Sequence, residues 1–153
     1  MSIDGNEFDK YTMRLFEIQN PRLYLCTDEE QLIGGIVRLQ GTIYPLGAAI
    51  EGKVEQRRPD DGLPREKSLY LHTNPSSDVL YSYEIVPLGH VDRNHMGWLR
   101  KLADVDPMQH GIIDQFACGY WSGTRYAEAQ NEPWEYRALA VRIIERVGGA
   151  ARS

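Results

Sequence analysis

The segment YWSGTRYAEAQNEPWEYRALAVRII, residues 120–144, decides how the chain is read. It holds Trp121 and Trp134, three tyrosines and the acids Glu132 and Glu135, and it runs into an aliphatic stretch. YRALAVRIIERV (residues 136–147) reads as the last strand, with Ala138, Ala140 and Arg142 alternating against Leu139, Val141 and Ile143. Pro133 disfavours a regular helix across EPWE anywhere but in a first turn. Glu135 therefore stands at the threshold of a strand, behind a loop loaded with aromatics.

Upstream, MQHGIIDQFACGYW (108–121) reads as a helix with Ile112, Ile113, Phe116 and Ala117 as its apolar residues. RNHMGWLRKLADV (93–105) reads as another, with Met96, Leu99 and Ala103 on one face, broken at Asp106-Pro107. HVDRNH (90–95) reads as a solvated loop. YEIVPLG is a strand ending at Pro87, SLYLHT (68–73) and RLYLCT (22–27) are short strands, and IVRLQGTIYPLGAAIEGKV (36–54) is β-rich and broken by glycine and proline. NPSSDVLYSY is a turn followed by a short helix capped by Asn74 or Ser76, and DEEQLI is a helical turn capped by Asp28 and ended by Gly34-Gly35. Phe8, Tyr11, Leu15 and Ile18 place a helix at about residues 7–19, stopped before Pro21. EQRRPDDGLPREK (55–67) lacks apolar period and reads as a solvated, charged loop, with a substrate-facing lid as the other reading. GGAARS (148–153) reads as a frayed tail. Short strands and helices mix without βαβ alternation, so the expectation is one α+β domain.

At 153 residues the chain is one ordinary domain, able to bury a core without staples. Its net charge of -5 argues against sequence-independent binding of nucleic acid, which needs a basic face. Cys26 and Cys118 fit no zinc or redox spacing and read as free thiols. No apolar run is long enough to span a bilayer and no signal peptide is legible, so the expected compartment is the cytoplasm.

His72, His90, His95 and His110 show no metal-ligand spacing. Ser122 lies outside any G-x-S-x-G elbow, and no Gly-rich phosphate loop occurs. Paired acids remain. Glu132 and Glu135 could serve as acid and base in sugar chemistry, although their spacing points one inward and one out.

The order of the pieces resembles the ADP-ribosyltransferase fold, in the broad group that includes diphtheria-toxin-like and rifampicin-modifying enzymes. RLYLCT is similar to that family's first strand, SLYLHTNPSSDVLYSYEIVP to its Tyr-bearing second strand, and EPWEYRALAVRII to the strand that the catalytic glutamate begins. The resemblance covers about residues 20–147 through short, degenerate motifs. Leu25 stands where the family carries His or Arg, and His72 replaces it if the two strands lie side by side. The resemblance implies a split β-sandwich of two small packed sheets with flanking helices, gripping nicotinamide adenine dinucleotide (NAD) in a cleft. It implies Glu135 as the catalytic residue, with Tyr24, Thr27, Tyr70, His72, Tyr81 and Trp121 holding the dinucleotide and Cys26 beside them. The implied activity is transfer of ADP-ribose to a protein or nucleic acid, as in a toxin, effector or phage-borne modifier, with an antitoxin or inhibitor protein as partner. The competing implication is a non-catalytic binding module on the same scaffold. Each of these aromatics also has a plain role in packing, and Glu135 one as a surface acid.

Overall fold

The computed structural model describes residues 21–103 and 105–151, so the helix expected at 7–19 lies outside the described residues. Period-two burial begins at once: Leu23 and Leu25 of β1 (Leu23–Thr27) face inward while Tyr24 and Cys26 are half-buried on the other side. The chain continues through β2 (Ile36–Arg38), α1 (Ala48–Glu55), a 3-10 turn at Arg65–Lys67 and β3 (Leu69–Leu71). Next come β4 (Tyr81–Pro87), β5 (Val91–His95), α2 (Met96–Ala103), α3 (His110–Trp121), β6 (Trp134–Ala138) and β7 (Ala140–Gly148). β1, β4, β7 and β2 form a four-stranded sheet in that order, and β3, β6 and β5 form a three-stranded one. All pairings are antiparallel. The fold is a single α+β domain of two small sheets with helices, as the sequence predicts.

One apolar cluster fills the space between the sheets, built on Leu23, Leu25, Leu71, Tyr83, Tyr136 and Ile143. A second, with Val54, Leu99, Leu102, Ile113, Ala117 and Tyr120, holds the three helices together. Ile113, Ala117 and Tyr120 recur at helical spacing on α3, which is why that helix is legible in sequence. The helices lie over the face of the three-stranded sheet turned away from the four-stranded one.

Several expectations are corrected. The expected last strand is two strands in different sheets. Ala138 pairs with Leu69 and Val91, Ala140 pairs with Arg38, and the chain changes sheet at the exposed Leu139. The small, buried alanines on either side let the crossing chain pass between packed layers. AAIEGKVE is α1, because Ile50 and Val54 fall on one helical face and pack into the helix cluster. DEEQLI is no helix: the backbones of Gly34 and Gly35 bond to Ile143 at 2.7 and 2.9 Å, and Asp28 instead accepts from the Leu80 N–H. NPSSDVL is held as turns by Ser76 and Ser82, whose hydroxyls bond nearby backbone. HVDRNH is β5 for most of its length, with Asn94 and His95 buried. His95 donates from Nε2 to the Glu132 carbonyl at 2.9 Å and accepts from the Tyr126 N–H at 3.0 Å, so it serves the fold. Residues 148–151 are not frayed, since Ala150 and Ala151 donate to the carbonyls of Val79 and Leu80. Cys26 and Cys118 are free. Among the described residues, no helix is long and apolar enough to cross a membrane.

Gly119 of α3 lies against the Trp98 ring of α2. A Cβ there would sit 2.5 Å from the Trp98 ring, whose Nε1 donates to the Thr124 carbonyl. Helix propensity alone favours alanine by about 1 kcal/mol, whereas overpacking costs about 1–3 kcal/mol. Gly119→Ala is therefore expected to lower stability in urea denaturation. A gain would mean that Trp98 moves aside freely.

Candidate functional site

Alternation along β6 turns Tyr136 and Ala138 into the sandwich and Glu135 and Arg137 towards the helices. Register sets Tyr70 and Asp92 on either side of Arg137, and Asn94 beside Glu135. Arg137 is fully buried. Its Nη1 donates to the Leu63 carbonyl at 2.6 Å, and its Nη2 to Asn94 at 2.9 Å and Asp92 at 3.2 Å. Its Nε lies 3.2 Å from Glu135 Oε1 at an angle that makes no hydrogen bond, so that contact is one of charge alone.

Arg65 closes the site from the other side. It comes from the segment expected to be solvated, yet it is 1 % exposed. Its Nε and Nη2 meet Glu51 of α1 at 3.0 and 3.1 Å, and its Nη1 donates to Glu135 at 2.5 Å and to the Tyr120 hydroxyl at 2.7 Å. Tyr120 in turn donates to Glu135 at 2.5 Å. The charged loop enters the interior because two buried acids need a guanidinium that can serve both at once. Three carboxylates (Glu51, Asp92, Glu135) face two guanidiniums, which leaves one net negative charge under the helix layer.

The surroundings tune these groups. Burial works against the Arg65 charge, but Tyr120, Glu135 and Glu51 outweigh it and hold the guanidinium above its ordinary value. Burial pushes the Tyr120 phenol well up, with Glu135 adding to it. Burial raises Tyr70 as well, against the pull of Arg65. Both phenols stay neutral donors, and the Tyr70 hydroxyl donates a hydrogen bond to the Arg65 carbonyl at 3.0 Å.

The expected site residues divide into two groups. Glu135, Tyr70 and Trp121 come together around the arginine pair: Arg65 lies 5.5 Å from the Tyr70 ring centroid and Arg137 5.3 Å from that of Trp121. Trp121 also donates to the Val54 carbonyl, tying α3 to α1. Tyr24 and His72 are joined by reciprocal backbone bonds of 2.8 and 2.9 Å, so β1 and β3 do lie side by side. Continuing the β3–β6 register by one residue sets His72 opposite Glu135. Thr27 and Tyr81 pair with each other three residues further along β1. There Thr27 accepts from the Glu29 N–H and Tyr81 stacks on Tyr83, so these two are not brought to Glu135. Sequence reading missed Arg65, Arg137, Glu51 and Tyr120. Only Arg137 carried a signal, because two-residue spacing puts it on the face of Glu135.

The arrangement offers a shared carboxylate and a negative field bounded by tyrosines, with an exposed imidazole in the same strand row. Comparisons with protein-family models, with curated proteins and with solved structures returned no match to this chain.

Proposed function

We propose that the chain is a cytoplasmic, NAD-dependent ADP-ribosyltransferase with a macromolecular target. One observation carries the reading: His72, just past β3, bridges Tyr24 of β1 through paired backbone bonds, and the β3–β6 register continued by one residue sets His72 opposite Glu135, with Tyr70 opposite Arg137. A nucleophilic atom of the target forms a new bond to the ribose anomeric carbon and loses its proton to solvent, while the bond to the nicotinamide nitrogen breaks and its electron pair leaves with the nicotinamide. Glu135 supplies negative charge beside the sugar as positive charge develops there, and it orients a ribose hydroxyl. Tyr24, Tyr70 and His72 offer planar faces and polar edges to hold the dinucleotide. The residues fit this task on one condition. Glu135 is 8 % exposed and bonded to both Arg65 and Tyr120, so both must release it, with Arg65 keeping Glu51.

Nicotinamide release from NAD, with and without cell lysate, tests the reading. Glu135→Gln is expected to lower release by about 100-fold or more, with its fold checked by circular dichroism. Release by the variant at the wild-type rate would overturn the role of Glu135.

The ion pairs on Glu135 favour a second reading, a non-catalytic binding module whose former catalytic acid now holds the interior together. A folded wild type that releases no nicotinamide, with or without lysate, decides for it.

A further inference from the structure

Tyr136 faces away from Glu135, and a second site lies on its side of the sheet. A cavity of about 580 Å³ lies between the start of β1, the end of β4 and the start of β5. That volume falls within the range of small-molecule sites, about 300–1,000 Å³. Its floor is core: Leu23, Ile85 and Tyr136 line it and are 4 %, 4 % and 7 % exposed. Arg22 and Arg93 line its rim, and neither makes an ion pair among the described residues. His90 also lines it and is bonded to Asp92 at 2.5 Å, and Glu84 is the one acid among its described lining residues. Among the described residues, two guanidiniums against one carboxylate make a positive mouth on a chain of net charge -5. The Arg93 guanidinium rests 3.7 Å from the Trp134 ring centroid, so it is pre-positioned and has an optical reporter.

We propose that this cavity binds a small anion with an apolar body, an aryl or alkyl carboxylate, sulfonate or phosphate. The body enters over Leu23, Ile85 and Tyr136, and the anionic head meets Arg22 and Arg93 at the rim. A neutral ligand of the same shape keeps the apolar contact and loses the charged one. The site is separate from Glu135 and does not depend on the transferase reading.

Two fluorescent probes of nearly the same shape test it on the full chain: 8-anilinonaphthalene-1-sulfonate, an anion, and the uncharged N-phenyl-1-naphthylamine. The expected result is saturable binding of one sulfonate per chain, seen in its own emission and in a change at Trp134. The neutral probe should bind at least about tenfold more weakly. Arg22→Gln and Arg93→Gln should each weaken the anion by about three- to tenfold, leave the neutral probe unchanged, and keep wild-type melting and nicotinamide release. Phenyl phosphate should compete. Absence of saturable binding would overturn the proposal, and so would equal binding of the two probes, which marks a bare apolar hole. Anion binding that ignores both arginine variants would place it elsewhere on the surface and sink the proposal as well.

Discussion

Arg65→Met is expected to lower the unfolding free energy by about 3–5 kcal/mol and the midpoint of thermal unfolding by roughly 6–20 °C. The Arg65 side chain is 2 % exposed and binds Glu51 and Glu135, themselves 5 % and 8 % exposed. Without it, two enclosed carboxylates share an interior in which the remaining guanidinium, Arg137, meets Glu135 and Asp92 among the acids and does not reach Glu51. The cost is that of a stranded charge rather than of a lost contact. One signature follows. The triple variant Glu51→Gln, Arg65→Met, Glu135→Gln recovers most of the loss, because no buried charge is left alone at Arg65. Arg57→Met is the control: its bond to Asp114 lies in solvent, with both side chains more than 40 % exposed, and its melting stays close to wild type. A loss below about 1 kcal/mol for Arg65→Met would show that water reaches the network.

Alkaline pH should unfold the chain earlier than an ordinary domain of its size. Tyr120 and Tyr70 have folded-state values above the ordinary 10.0, in both cases because burial disfavours the phenolate. Below about pH 10 both phenols are protonated in the folded and unfolded chain, and the stability they contribute is complete. Above it the unfolded chain releases the protons and the folded chain does not. Stability therefore falls as pH rises, by about 1.4 kcal/mol per pH unit for each of the two phenols, with Tyr70 leaving the sum first because its folded-state value is raised less. Urea denaturation at pH 9, 10 and 11 reads the slope, and phenolate absorbance follows the ionisation. Tyr120→Phe should be less stable at neutral pH, since it removes the donor to Glu135, yet have a visibly shallower alkaline slope. Equal slopes in the two proteins would mean that Tyr120 ionises in place.

The contrast between Arg65 and its neighbours locates what sequence can carry. Arg57, Arg58 and Arg65 belong to the same charged, proline-broken run. Arg57 and Arg58 stay at the surface on Asp114 and Glu55, and Arg65 becomes one of the most enclosed side chains in the molecule. Nothing local distinguishes them, because the acids that draw Arg65 inward stand 14 residues before it on α1 and 70 after it on β6.

What the sequence by itself determined is periodic and local. It includes α3 from its apolar face, the presence of α2 (though Leu102 and not the expected Ala103 is buried, and residues 93–95 are strand), β1, β3 and β4 from short aliphatic or aromatic runs, and the α+β class from their mixture. Tertiary structure decided the rest. Burial against α3 made a helix of AAIEGKVE despite its β-branched residues. Packing between two layers divided one strand-like run at Leu139. Long-range neutralisation of buried charge turned Glu135 from an acid at a strand threshold into the centre of an arginine-clamped network. The physical reason is common to all three: side-chain period is written residue by residue, whereas burial and charge compensation depend on partners that only the folded chain brings within a few ångströms.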